Sequence, residues 1–285
     1  MKNRIASASA GPFRAGLLGP VAAGLAAIAG SVSPVTAQED FRSADLDRPI
    51  QVEDAYPVKF REWEVELGIR GALREGGDGV SGIGELKTGL FLNGQVGLEI
   101  KAGGEDAEGS TAGGIESAGA HLLYNFNRET WSWPAFAARL DVESPGAGRL
   151  GRENWAISGK GLATRSFGRL RIHLNGGYAA ASAADGGDFW LGGMAFDYPI
   201  GLFSRAIMGD IYAEVPNGSG RSRVWLELGS RWQLTNLSVL DFGLATRLDE
   251  WERGRGNVEL IVGFSRVFGI PGLVTVPSYP NPRIN

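Results

Sequence analysis

A net charge of −4 spread over 285 residues leaves no clustered positive surface for phosphates, which excludes nucleic acid as a partner. The absence of cysteine excludes a disulfide scaffold and a thiolate metal site. With 43% hydrophobic and 21% charged residues, the length allows one large all-β domain or two ordinary ones.

In chain order, Lys2, Arg4 and Arg14 flank the start of an apolar run over 15–30, and the small residues of Val35-Thr36-Ala37 follow. This is the layout of a cleaved signal peptide over 1–37, cut after Ala37. Pro20 and the many small residues make the run a poor membrane anchor. The mature protein is therefore expected to be exported. Residues 38–59 hold no sustained period and contain Pro49 and Pro57, so they read as an irregular periplasmic lead.

From 60 to 268 a period of two returns again and again, the side-chain period of a β-strand. Val65, Leu67, Ile69 and Leu73 oppose Glu64, Glu66 and Arg70; Leu86, Leu90 and Leu92 form the next apolar set. Val96, Leu98 and Ile100 oppose Glu99 and Lys101, and Asn93-Gly94 before them signals a tight hairpin. Ala118, Ala120, Leu122, Tyr124 and Phe126 oppose Ser117, His121 and Asn125; Phe136, Ala138, Leu140 and Val142 oppose Arg139, Asp141 and Glu143. A weaker segment over 154–165 carries Lys160, after which Leu170, Ile172, Leu174 and Tyr178 oppose Arg171, His173 and Asn175. Weaker segments follow at 189–198 and 204–215, the latter with Asp210 and Glu214. Val224, Leu226, Leu228 and Trp232 then oppose Glu227 and Arg231; Leu240, Phe242 and Leu244 oppose Asp241 and Arg247; Val258, Leu260, Val262 and Phe264 oppose Glu259. About twelve strands result, each roughly long enough to cross a bilayer obliquely. Residues 269–285 form a C-terminal tail.

Connection lengths indicate which way the apolar faces look. Long linkers at 74–82, 102–113, 144–153, 182–188, 216–222 and 249–257 alternate with short ones at 93–94, 127–132, 166–169, 199–203 and 235–238. Outer-membrane barrels sort their loops this way, with short turns toward the periplasm. Trp131, Trp133, Phe167, Tyr198 and Trp232 fall near the short turns, and Trp155, Tyr178, Trp190, Trp225 and Trp251 near the long loops, as two interfacial belts would. Inward apolar faces could not fill so wide a barrel, since about eight strands is the filled limit. The expected fold is a single antiparallel up-and-down transmembrane β-barrel in an outer membrane, with a two-sheet soluble sandwich as the alternative.

Several local patterns invite chemistry. Residues 77–82 match GxGxxG, but a strand rather than a helix follows, so a flexible loop is expected. Glu105, Asp106, Glu108, Asp185 and Asp188 have no calcium-loop spacing and read as solvated loop acids. Ser117, His121 and Asn125 share a face, but positions four apart on a strand are separated by about 13 Å, beyond hydrogen-bond reach for a hydrolase triad. No catalytic residue, cofactor or metal is expected. The inward face is the main feature: Glu66, Arg70, Glu99, His121, Asn125, Arg139, Asp141, Lys160, Arg171, His173, Asn175, Asp210, Glu214, Glu227, Arg231, Asp241, Arg247 and Glu259 are expected to line the lumen. They form either a hydrated solute path or a salt-bridge lattice that nearly shuts the barrel.

GGIESAGAHLLYNF, WPAFAARLDVESPGAG and RIHLNGGYAAA show a Gly-rich approach to a strand, a Pro-Ala opening the next, a strand ending at Pro-x-Gly and a later hLNxGY strand. In these the chain resembles the MetA-pathway-of-phenol-degradation transporter family of bacterial outer-membrane β-barrels. The resemblance spans most of 60–268 and implies a transporting barrel, with aromatic compounds as candidate solutes. Expected partners are outer-membrane lipid and a small solute. A passive channel leads; a non-conducting structural or ligand-binding barrel and, more remotely, a barrel hydrolase are the alternatives.

Overall fold

A computed structural model describes residues 44, 48–74, 77–107, 110–201, 204–251 and 256–269. The segment expected to be a signal peptide and nearly all of the expected C-terminal tail lie outside these residues. The strands are β1 (Trp63–Arg74), β2 (Asp78–Phe91), β3 (Gly94–Ala107), β4 (Ser110–Asn127), β5 (Ala135–Ser144), β6 (Ala147–Gly148), β7 (Ala156–Phe167), β8 (Leu170–Ala180), β9 (Phe189–Ile200), β10 (Arg205–Pro216), β11 (Arg223–Thr235), β12 (Ser238–Arg247) and β13 (Asn257–Phe268). All but the two-residue β6 are wall strands, each pairing antiparallel with its neighbours in sequence. β1 pairs with β13 from Trp63 opposite Phe268 to Arg74 opposite Asn257, and β3 pairs with β4. The sheet is thus closed, as a twelve-stranded antiparallel barrel without an edge.

The wall is inverted relative to a soluble protein. Leu98, Leu140, Ile157, Leu174, Leu228, Leu244 and Leu260 stand exposed on the outside, while Glu66, His121, Arg139, Arg231 and Asp241 are buried within. This is the face assignment read from the period of two. Outer aromatics cluster near the turns (Phe126, Trp131, Trp133, Phe167) and near the loops (Trp155, Trp190, Trp251). Trp225 departs from the expected belt. It shares the inward parity of Glu227, packs against Tyr212 and lines the lumen.

The first two expected loops are strand instead. Asp78 to Gly82, the GxGxxG stretch, lies in β2, and Asp78–Thr88 ladders with β3. β3 runs on to Ala107 opposite Ser110, so most of 102–113 is wall as well. Glycine and acidic residues made these segments look like loops, but a backbone ladder between neighbouring strands needs no side chains. The first hairpin is also offset by one residue: Phe91 pairs with Gly94, which leaves Leu92-Asn93 as its turn.

Long connections remain at 145–155, 181–188, 217–222 and 248–256. Two of the loop acids are braces rather than free solvated groups. Asp185 accepts from the backbone N–H of Glu153 at 2.8 Å and of Asn154 at 3.1 Å, tying two loops together. The Glu153 bond, ahead of those from Ser182 and Asn154, holds the Asp185 carboxyl below the usual carboxylate range. Asp188 accepts from the Tyr178 hydroxyl at 2.8 Å and from the Ala181 N–H at 3.0 Å.

Candidate functional site: a lumen crossed by the chain's own lead

Residues 48–60 do not trail away from the wall. They run through the lumen as a strap, which the irregular lead expected over 38–59 did not disclose. Ile50, Val52 and Ala55 are fully buried, and Arg48, Glu53 and Asp54 nearly so. An extended segment that meets other backbone only at isolated points, as Phe60 bridges Gly89, leaves most of its backbone groups needing side-chain partners. The wall supplies them. Asp210 accepts from the N–H groups of Gln51 at 2.8 Å and Val52 at 3.0 Å. Asn175 accepts from the Glu53 N–H at 2.9 Å and donates to the Glu53 carbonyl at 2.8 Å. Thr164 accepts from Ala55 N–H at 3.0 Å, Asn125 donates to the Ala55 carbonyl at 2.7 Å, and Gln95 accepts from Val58 N–H at 2.7 Å.

The wall is also shaped to the strap. A Cβ placed on Gly229 would meet Pro49 Cγ at 2.5 Å, and one on Gly193 would meet Val52 Cγ2 at 2.6 Å. Both glycines have inward parity, next to Glu227 and Arg231 or to Ala195 and Asp197. A larger residue at either place would collide with the strap.

Charges lock the strap at its start and near its middle. Arg48 reaches Glu66 at 2.6 Å, and its carbonyl accepts from Arg231 Nη2 at 3.2 Å. Arg231 in turn holds Asp241 through two bonds, Nε to Oδ1 at 2.6 Å and Nη2 to Oδ2 at 2.9 Å, with both residues fully buried. Near its middle Glu53 accepts from Arg139 Nη1 at 2.6 Å and from Lys160 Nζ. Arg139 and Lys160 sit directly opposite each other on β5 and β7. Like charges so placed repel, and the Glu53 carboxylate between them removes that repulsion.

The other inward residues expected from parity form the surrounding lattice. Arg70 bridges Glu227 at 2.9 Å and Glu259 at 2.8 Å; Lys101 bridges Glu99 and Glu143, both at 3.1 Å. Arg139 also holds Asp141 at 2.6 Å, and Glu214 pairs with Arg223 at 2.6 Å. Arg247 turns to the loop acid Asp249 at 2.7 Å rather than to the lattice centre. Inward partners that the pattern reading did not single out are Glu85, Lys87, Gln95, Thr164 and Asp197. All five have the inward parity of their strands, so their signal was present in the sequence.

Neither histidine reproduces the serine-based arrangement. His121 Nδ1 lies 2.9 Å from Glu85, and its Nε2 lies 3.2 Å from Gln95 Nε2; no contact with Ser117 links them. His173 lies between Thr164 Oγ1, 3.0 Å from Nδ1, and Asp197 Oδ2, 3.0 Å from Nε2. The Thr164 hydroxyl oxygen already accepts from the strap, and all three side chains are fully buried. Ala55 N–H, Thr164, His173 and Asp197 thus form one buried chain of polar contacts. Arg171 completes it with a 2.8 Å bond to Asp197.

The strap divides the lumen into two cavities. One of about 530 Å³ lies toward the long loops and is lined by Arg70, Lys101, Asp141, Lys160, Glu214 and Glu259 among others. One of about 600 Å³ lies toward the turns and is lined by Glu53, Tyr56, Glu85, Lys87, Gln95 and Arg139 among others. Their linings place the Glu53 cluster at the divide, with Lys160 facing one side and Arg139 the other.

No family model matches the chain, and no curated protein matches it in sequence. Among solved structures it is similar to the COG4313 outer membrane channel from Pseudomonas putida F1, with TM-score 0.56 and 12% identity over 84% of this chain and 100% of that one. It also matches the KdgM porin in complex with disordered oligogalacturonate, with TM-score 0.49 and 12% identity over 72% and 99% of the two chains. Outer membrane phospholipase A from Escherichia coli matches with TM-score 0.45 and 12% identity over 74% and 97%. At such identities the likeness is one of fold: the chain has the architecture of outer-membrane β-barrels.

Proposed function

We infer that the protein is a passive outer-membrane channel for small solutes, closed at rest by its own lead. One observation carries this reading: the lumen holds a charged cavity toward the loops and another toward the turns, and the chain's own lead lies between them. The apolar exterior and closed ladder suit a lipid environment, where every backbone group must be paired. The long connections support placing the loop end outside the cell and the lead at the periplasmic end. The resemblance to phenol-degradation transporters, carried by short motifs, makes aromatic compounds reasonable solutes. A non-conducting barrel is the second reading, because a salt-bridge lattice and a strap would also stiffen a barrel with no path.

Charge reversal tests the reading. Arg139 holds Glu53 and Arg171 holds Asp197, so Arg139→Glu with Arg171→Glu replaces two attractions by repulsions, the first of them in the lining of the turn-side cavity. In planar bilayers the double variant should conduct more than the native protein, with reversal potentials across a salt gradient shifted toward cations. A difference in gel mobility between unheated and heated samples confirms that the barrel has folded. A folded double variant that conducts with unchanged selectivity would remove these residues from the path.

A further inference from the structure

Arg139 and Lys160 are opposed cations on neighbouring strands, and the lumen would gain little from pairing them without an anion between. Asp141 engages Arg139 through Nε at 2.6 Å, which leaves Arg139 Nη1 and Lys160 Nζ converging on Glu53. Counting formal charges, Arg139, Lys160, Asp141 and Glu53 sum to zero. Without Glu53 the cluster has one buried positive charge in excess, and such a charge is costly unless an anion joins it. The geometry is that of a two-point carboxylate receptor, with one guanidinium nitrogen and one ammonium each on its own oxygen of the Glu53 carboxylate. Arg139 Nη2 is buried and makes no hydrogen bond to the described residues, so the fork has a further donor to offer. The site is reached from both cavities, since Lys160 lines one and Arg139 the other.

We propose that the Arg139–Lys160 pair is a binding site for small organic carboxylates, that Glu53 is its resident occupant, and that a carboxylate solute competes with Glu53 and so releases the strap. This rests on the channel reading for its purpose but not for its chemistry. A solute carboxylate replaces the Glu53 carboxylate on the same donors, so the net charge at the site is unchanged, and Glu53 leaves with the strap into hydrated lumen. A neutral solute of the same shape has no such exchange open to it, and chloride offers the two donors a single point where a carboxylate offers each its own oxygen. The protein thus selects the solutes that open it.

The chain has no cysteine, so Val52→Cys places a single thiol on a strap residue that is fully buried in the resting state. Maleimide labelling of this variant in the otherwise intact chain, folded in detergent, reports strap release directly. Acetate and benzoate should raise the labelling rate on the order of tenfold at saturation, while acetamide, benzamide and chloride at matched ionic strength should not. Adding Glu53→Gln should give fast labelling without any carboxylate and abolish the response to it. Ile50→Cys, also fully buried, is the reporter if Val52→Cys does not fold. Equal labelling in acetate and acetamide, or slow labelling in the Glu53→Gln background, would overturn the proposal. Conductance of the same samples separates the two claims. Carboxylate-dependent labelling without conductance retains the site and rejects the channel; conductance without carboxylate-dependent labelling does the reverse.

Discussion

Asp241→Asn should lower the folding stability of the barrel by about 3–5 kcal/mol, the cost of breaking a buried ion pair by removing one partner. Arg231 and Asp241 sit directly opposite on β11 and β12 and are both fully buried. Two parallel bonds fix their geometry, so the asparagine keeps the shape but removes the charge that balances the guanidinium. The damage should extend to the strap, because Arg231 also donates to the Arg48 carbonyl and Arg48 approaches Asp241 at 3.9 Å. Replacing Arg231 and Asp241 together with leucines should recover much of the loss, since no unpaired charge then remains. The measurement is the urea dependence of folding into lipid vesicles, followed by gel mobility. A cost within about 0.5 kcal/mol, the range for substitutions that touch no special feature, would mean that water reaches the pair and screens it.

On the opposite face, Leu228→Arg should cost about 2–4 kcal/mol if the position meets the bilayer midplane. Leu228 is 57% exposed, lies midway along β11, and pairs with Gly209 on one side and Leu244 on the other. Its neighbour Glu227 faces the lumen and shares Arg70 with Glu259. Glu227→Gln should therefore cost far less, because Arg70 retains a carboxylate partner. The two substitutions differ by one residue along the chain and by which medium the side chain meets. Equal costs in lipid vesicles would contradict a lipid-facing exterior and return the wall to the soluble sandwich.

The wall was legible because its signal is local. A period of two is written in adjacent residues, and burial of Glu66, His121, Asn125, Arg139, Arg171, Arg231 and Asp241 follows from parity alone. The strap was not legible for the opposite reason. Its contacts join Glu53 to Arg139 and Lys160, and Gln51 to Asp210, across more than eighty residues, and no period marks a segment held mainly through side chains. Register was hidden too. That Arg139 and Lys160 face inward could be read; that they face each other depends on strand alignment, which parity does not fix. The glycines hid a third layer, since Gly193 and Gly229 read as weak strand positions and turn out to be where the strap lies against the wall. Composition misled at 74–82 and 102–113, where glycine and acid content suggested loops and the ladder continued through them.

Conductance with and without the strap tests the central claim, that the lumen is a path closed by the chain's own lead. The protein lacking residues 48–58 retains every wall strand, and removing the strap merges the two cavities and uncovers Asp210, Asn175, Thr164 and the Arg139–Lys160 pair. In planar bilayers the intact chain should show rare, small openings, and the strap-less chain a steady, much larger single-channel conductance. A strap-less barrel that is folded by gel mobility and yet conducts no more than the intact protein would contradict the account.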